Sequence, residues 1–385
     1  MQITHVEKWQ VVVPCREGIL ERSGRWFDPG LSTFDAMPKW IIRIHTDTGQ
    51  TGIGESVRGE SAESIEAGIA ALLGIDPRTL SLQQLPLPAV ASYTTFEMAV
   101  FDLLGKAWEV PVYQLLGGAR QEQVQVDYWA SRRSVDDTAM QALEGRKRGF
   151  HGIKIKAALA SPTAPDPRDT DRSTPGDHTR YAAIREDDPI RERVAAITAA
   201  AGADFTITVD PNCRLYDPQR ALRIARQLAE FNVLVLEDPI PWKGNLGAYA
   251  QLRRELPVPV AIHVFTPDAV LEAIRKDAVD YFNINGSMVE FVKMAWMAEQ
   301  AGIRCWHGSG VDLGIRDMSY VHASLAAGGC TLPGDIVGNF LRVDDLIQEP
   351  ISIVDGAVRR PTAPGLGITL DEQALSAFTV RVSGG

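Results

Sequence analysis

Residues 205–239 read FTITVDPNCRLYDPQRALRIARQLAEFNVLVLEDP. A β-branched run, Phe205–Val209, stops at Asp210-Pro211-Asn212. An amphipathic stretch, Pro218–Phe231, follows. A second apolar run, Val233–Leu236, stops at Glu237-Asp238-Pro239. Strand, helix and strand in that order read as a parallel crossover unit. Each strand ends on a carboxylate with a proline one or two residues on, so the two acids stand on one rim.

The same alternation extends both ways. Upstream lie Val124–Trp129 and Gly152–Lys156. Downstream lie Val258–Ile262, Tyr281–Ile284, Ile303–Trp306 and a short piece near Thr331–Ile336, with helical runs at Pro267–Lys276 and Met288–Ala301. Eight apolar strands alternating with helices predict an α/β fold of the TIM barrel kind over residues 119–350. An open doubly wound sheet is disfavoured, since no GxGxxG opens a helix after a strand. Residues 1–118 read differently. Strands at Ile3–Val13 and Trp40–His45, a turn at residues 49–52, and helices at Ala62–Leu73 and Ser92–Trp108 make an α+β module. Residues 157–189, dense in Pro, Asp, Thr and Arg, directly follow a barrel strand. A loop of that length on the active rim reads either as a lid or as a surface insertion.

Bulk properties narrow the function. The chain has 385 residues and a net charge of −10, which leaves no cationic surplus for a nucleic-acid partner. No apolar run suggests a membrane span, and Met1–Pro14 lacks the pattern of a secretory signal. Cys15, Cys213, Cys305 and Cys330 are scattered and form no CxxC, which fits free thiols in a cytoplasmic protein.

The strand ends carry the chemistry. Asp210, Glu237 and His263 are spaced by 27 and 26 positions, one strand–helix unit each. Two carboxylates and an imidazole from adjacent strands suit a divalent metal. Either acid alone reads more simply as a helix cap. Lys154 and Lys156 alternate on one strand and share a face, so the cavity should take an anion. A lysine beside another cation loses proton affinity and becomes a usable base. His307 ends strand seven and is read as a proton donor or acceptor across the barrel, with Asp312 or Asp335 as a partner. Asn212, Asn285, Trp306, Asp335 and Arg25 complete the candidate substrate contacts.

In these segments the chain resembles the enolase superfamily, in the branch of mandelate racemase and muconate lactonizing enzyme. The resemblance is carried by Phe96–Lys106, Pro111–Gly118, Lys154-Ile155-Lys156, Val209–Asn212, Leu236–Pro239 and Pro364–Ile368. It implies a modified (β/α)7β barrel with an α+β capping domain, to which residues 351–385 return. It implies Mg²⁺ holding a substrate carboxylate, Lys156 removing the α-proton, Lys154 stabilising the enediolate, and Asp210 and Glu237 as ligands. It also implies a homo-oligomer. The chain departs from the pattern at His263, where the family has Asp or Glu. Imidazole favours Mn²⁺ or another transition metal. It departs again at Asn285, where the family has Lys or Asp. A metal-dependent lyase, an acid-sugar dehydratase using Lys156 and His307, is therefore the first expectation for a small carboxylate substrate. A racemase, epimerase or cycloisomerase is the second. A binding protein that has lost catalysis, and a metal-free Schiff-base enzyme, are further alternatives.

Overall fold

A computed structural model describes residues 1–16, 38–88, 92–157, 184 and 186–380. Arg25 and nearly all of the 157–189 insertion lie outside the described residues. The chain opens with a three-stranded antiparallel sheet: β1 Ile3–Val11, β2 Lys39–Thr46 and β3 Thr51–Glu55. Helices α1 Ala62–Leu72 and α2 Tyr93–Ala107 cover it. Gly52 and Gly54 explain how closely: a Cβ there would stand 2.0 Å from the Ala99 carbonyl oxygen and 2.1 Å from that of Thr95. Ile42, Ile44, Ile65, Phe96, Val100 and Leu103 form a core of their own between sheet and helices. The one-turn helix α3 Val112–Leu115 leads out of this cap.

The Val124–Trp129 run, expected as one strand, divides. β4 Gln123–Gln125 pairs away from the barrel, and β5 Tyr128–Ala130 begins it. Then come α4 Val135–Lys147, β6 Gly152–Lys156, α5 Ile190–Ala201, β7 Thr206–Asp210, α6 Pro218–Leu228, β8 Val233–Glu237, α7 Leu246–Glu255, β9 Val260–Val264, α8 Pro267–Arg275, β10 Tyr281–Ile284, α9 Met288–Gln300, β11 Arg304–His307 and α10 Gly314–Ala326. The strands β5 to β11 lie side by side in chain order, all parallel. The eighth stretch joins the two edges. Leu332 N donates to Cys305 O (3.2 Å), Gly334 N to Gln125 O (3.0 Å), and Asp127 N to Gly334 O (2.8 Å). Seven strand–helix units and a last strand close the ring. Among the described residues no helix is long and apolar enough to cross a membrane, and all four cysteines are buried and outside any disulfide.

After α11 Gly338–Leu341, the strands β12 Ile353–Val354 and β13 Ala357–Arg359 pair with each other, and β13 pairs with β4. The chain then runs to the cap. Val112 N donates to Gly365 O (2.9 Å), and Leu366 N to Asp102 Oδ1 (2.8 Å). Past α12 Glu372–Phe378, Thr379 bridges Val11 of β1. A buried charge network binds cap to barrel. Lys39 is ion-paired with Glu55 and with Asp312 (2.6 Å); Glu55 accepts from Leu313 N (2.9 Å) and Arg316 N (2.8 Å).

Candidate active site

Strand register decides which side chains enter the barrel. Lys154 stands beside Thr208 and Lys156 beside Asp210. Glu237 stands beside Ala261, His263 beside Asn283, and Asn283 beside Trp306. Because side chains alternate, one face carries Lys154, Lys156, Asp210, Glu237, His263, Asn283 and Trp306. The other face carries Ile153, Ile155, Val209, Leu236, Ile262, Phe282 and Cys305, all packed in the apolar core under the helices. The polar face is the barrel interior. On this face Trp306 packs with Val235, Ala261 and Leu332 in a small apolar cluster. Its side chain is 2% exposed and packs among these apolar neighbours.

Lys154 is tied to three carboxylates. Its Nζ stands 2.9 and 3.1 Å from the two Glu237 oxygens, 3.4 Å from Asp335 Oδ2 and 3.7 Å from Asp210 Oδ2. Burial alone would weaken its proton affinity, but Asp335, Glu237 and Asp210 outweigh burial and raise it above the ordinary lysine range. The mutual depression expected of the lysine pair thus fails at Lys154, since the carboxylates are nearer the charge. Lys156 donates to Asp210 Oδ2. Asp210 also accepts from Asn212 through its backbone N (2.8 Å) and its Nδ2 (3.1 Å). Despite burial, the two lysines hold Asp210 below the usual carboxylate range. Asn212, at φ +49°, accepts from Arg132 Nη2 at its side-chain Oδ1 (3.0 Å). Its side-chain amide thus joins Arg132 to Asp210.

The candidate ligands separate. Glu237, Asp238 and His263 each offer an atom within 4.8 Å of the others, and Asp210 is not in this group. Lys154 Nζ lies between Asp210 and Glu237, within 3.7 and 2.9 Å of their oxygens. Asp238, not singled out from the sequence, sits at φ +43° and accepts from His263 N (3.0 Å). Burial, with Asp210 adding, pushes Glu237 up to about 7. Asn283 Nδ2 donates to Glu237 Oε1 (2.8 Å). The donor set of one imidazole and two carboxylates fits a divalent ion of the borderline class.

His307 corrects the sequence reading most sharply. It stands beside Ile284 on the outer face, and its ring packs between Phe291 of α9 (4.2 Å) and Tyr320 of α10 (4.1 Å). Burial drives its pKa down to about 3, so it is neutral, and its Nδ1 pairs with Gly308 O (2.6 Å). Asp312 does not orient it; that carboxylate takes Lys39 Nζ and the Tyr320 hydroxyl (2.8 Å). The position of β11 that faces the cavity is Gly308. A Cβ there would meet Asn283 Oδ1 at 2.3 Å, Asn285 Oδ1 at 2.8 Å and His263 Nε2 at 3.1 Å. Alternation past Trp306 was the signal that could have found it.

Comparison with known proteins identifies the family of the fold. The model of the mandelate racemase / muconate lactonizing enzyme N-terminal domain matches residues 29–117, and that of the enolase C-terminal domain-like family matches residues 137–374. The chain is 27% identical to muconate cycloisomerase 1 of Rhodococcus opacus over 90% of this chain and 92% of the relative. It is 26% identical to arabinonate dehydratase of Saccharolobus solfataricus, covering 95% and 97%. The crystal structure of N-succinyl Arg/Lys racemase from Bacillus cereus superposes with a TM-score of 0.80 at 24% identity, covering 99% and 98%. These relatives are isomerases and a lyase, and the chain belongs with them to the enolase superfamily, in its mandelate racemase / muconate lactonizing enzyme branch.

Proposed function

We propose that the chain catalyses a metal-assisted β-elimination of water from a small hydroxycarboxylate of the acid-sugar class, with Lys156 as its one proton carrier. The observation that carries this reading is the one-sided placement of exchangeable protons. Lys156 stands on β6, while the opposite flank offers Asn283, Asn285, Gly308 and His263, whose imidazole this reading assigns to the divalent ion, and His307 lies outside the barrel. Racemisation through two bases needs a proton carrier on each face of the carbanion; elimination on one face needs only one. Lys156 Nζ takes the α-proton, the electron pair forms the Cα–Cβ double bond, and the Cβ–O bond breaks. The same proton then passes from Lys156 to the departing hydroxyl, releasing water. Lys154, kept cationic by its three carboxylates, faces the growing negative charge on the substrate carboxylate. Glu237 and His263, with Asp238 within reach, would hold a divalent ion, which when bound supplies further charge for those oxygens. The imidazole turns the preference from Mg²⁺ toward Mn²⁺ and its neighbours.

A panel of acid sugars, muconates and N-acyl amino acids, followed by proton NMR in deuterated water, tests the reading. Loss of water from an acid sugar, reduced about 10²–10⁴-fold in Lys156→Ala, is the expected result. Stereochemical inversion at the α-carbon would defeat it. Lactone formation from a muconate would move the assignment to cycloisomerisation, which the 27% identity to muconate cycloisomerase 1 favours as second reading.

A further inference from the structure

Two acids face each other beside Lys154, across the seam that closes the barrel. Val126 pairs in parallel with Gly334, and Asp127 N donates to Gly334 O (2.8 Å). The next residues of the two segments, Asp127 and Asp335, therefore stand opposite each other on one face. Both point inward. A Cβ on Gly152 of β6 would stand 2.5 Å from Asp127 Oδ1, and Asp335 Oδ2 lies 3.4 Å from Lys154 Nζ. Asp127 is 3% exposed and Asp335 5%. Asp127 Oδ2 and Asp335 Oδ1 are buried, and among the described residues neither has a hydrogen-bond partner. Two anions side by side at that depth repel strongly, and one proton between them gives both oxygens a partner. Asp335 has the Lys154 ammonium beside it, so the proton belongs to Asp127. Burial, with Asp335 adding and Lys154 opposing, holds the Asp127 carboxyl well above the usual carboxylate range.

We propose that Asp127 is a protonated acid that donates a hydrogen bond to Asp335, and that this bond makes Asp127 a positioning residue for Lys154. Asp335 then has its Oδ1 fixed by Asp127 and its Oδ2 turned to the lysine. Lys154 is braced from the closing strand by Asp335 and from β8 by Glu237 (2.9 Å), so its ammonium is held at one place in the cavity. Without the Asp127 donor, Asp335 is free to turn, and the brace from the closing strand is lost. Gly152 belongs to the device, because any side chain there would push Asp127 out of place. The role given to Lys154 rests on the reading above; the shared proton does not.

Infrared difference spectra of the full chain, labelled with carboxyl-¹³C aspartate and taken at about pH 8, far above the ordinary aspartate range, test the shared proton. Wild type minus Asp127→Asn should show the carbonyl stretch of one protonated aspartic acid, displaced by the label and by deuterated water. Asp335→Asn should keep that band but shift it, since the acceptor changes from a carboxylate to an amide. Nitrogen-15 NMR of the Lys154 ammonium, assigned by its loss in Lys154→Met, tests the positioning. Asp127→Asn still carries a donor and should leave that signal in place, while Asp127→Ala should displace it. Circular dichroism establishes that each variant is folded; should Asp127→Ala not fold, Asp127→Leu, of similar size and without a donor, makes the same comparison. Absence of the acid band from wild type, or a band that Asp335→Asn leaves unmoved, overturns the shared proton. A Lys154 signal that stays in place without the Asp127 donor overturns the positioning role. Neither readout depends on turnover, so a substrate panel that fails leaves both outcomes readable.

Discussion

Gly308 and His307 show how much turns on one position along a strand. Gly308→Ala would drive a methyl group against Asn283 Oδ1 and Asn285 Oδ1. We expect about 1–3 kcal/mol of destabilisation from overpacking, read by chemical denaturation. The acids and lysines were legible in the sequence because each ends an apolar run, and alternation then fixes its face. His307 was misread because it also ends such a run, yet its parity matches Ile284 and not Asn283. Asn283 was overlooked since a polar residue inside an apolar strand carries no mark of its partner. Which oxygen of Glu237 it meets depends on packing between strands, and no local pattern encodes that.

At the scale of elements, the sequence displayed the strand–helix alternation clearly but concealed the split of Val124–Trp129. β4 leaves the barrel only because β13, more than two hundred residues later, offers it an edge. His322 of α10 illustrates the same long reach. Its Nδ1 accepts from Tyr113 N of α3 (3.2 Å), and its Nε2 donates to Leu366 O (3.1 Å), joining barrel, cap and tail. Burial lowers its pKa from 6.5 to about 4. The folded state therefore resists protonation that the unfolded chain accepts. The stability is fully present above pH 6.5 and drains away as pH falls toward 4. That amounts to about 2 kcal/mol by pH 5 and about 3 kcal/mol by pH 4. Unfolding free energies at pH 7.5 and 5.0 should differ by about 2 kcal/mol more in wild type than in His322→Gln. Equal differences would show that this ring is not the titrating group.

For the whole molecule, cap and barrel behave as one body only while their buried charges are matched. Glu55 balances Lys39 and accepts two backbone N–H groups from the barrel. Glu55→Ala should cost about 3–5 kcal/mol, because it leaves Lys39 and those donors facing a gap. Unfolding followed at cap tryptophans and by far-ultraviolet dichroism should then separate into two transitions, where wild type shows one. The way the ring closes has a further consequence during synthesis. β5 gains its second neighbour only when Gly334 has left the ribosome, and β1 gains Thr379 later still. Until then the nascent chain trails an open parallel edge, and such edges recruit strands from other chains. Production in cells should thus depend on translation speed and on chaperone supply more steeply than the finished fold's stability would suggest.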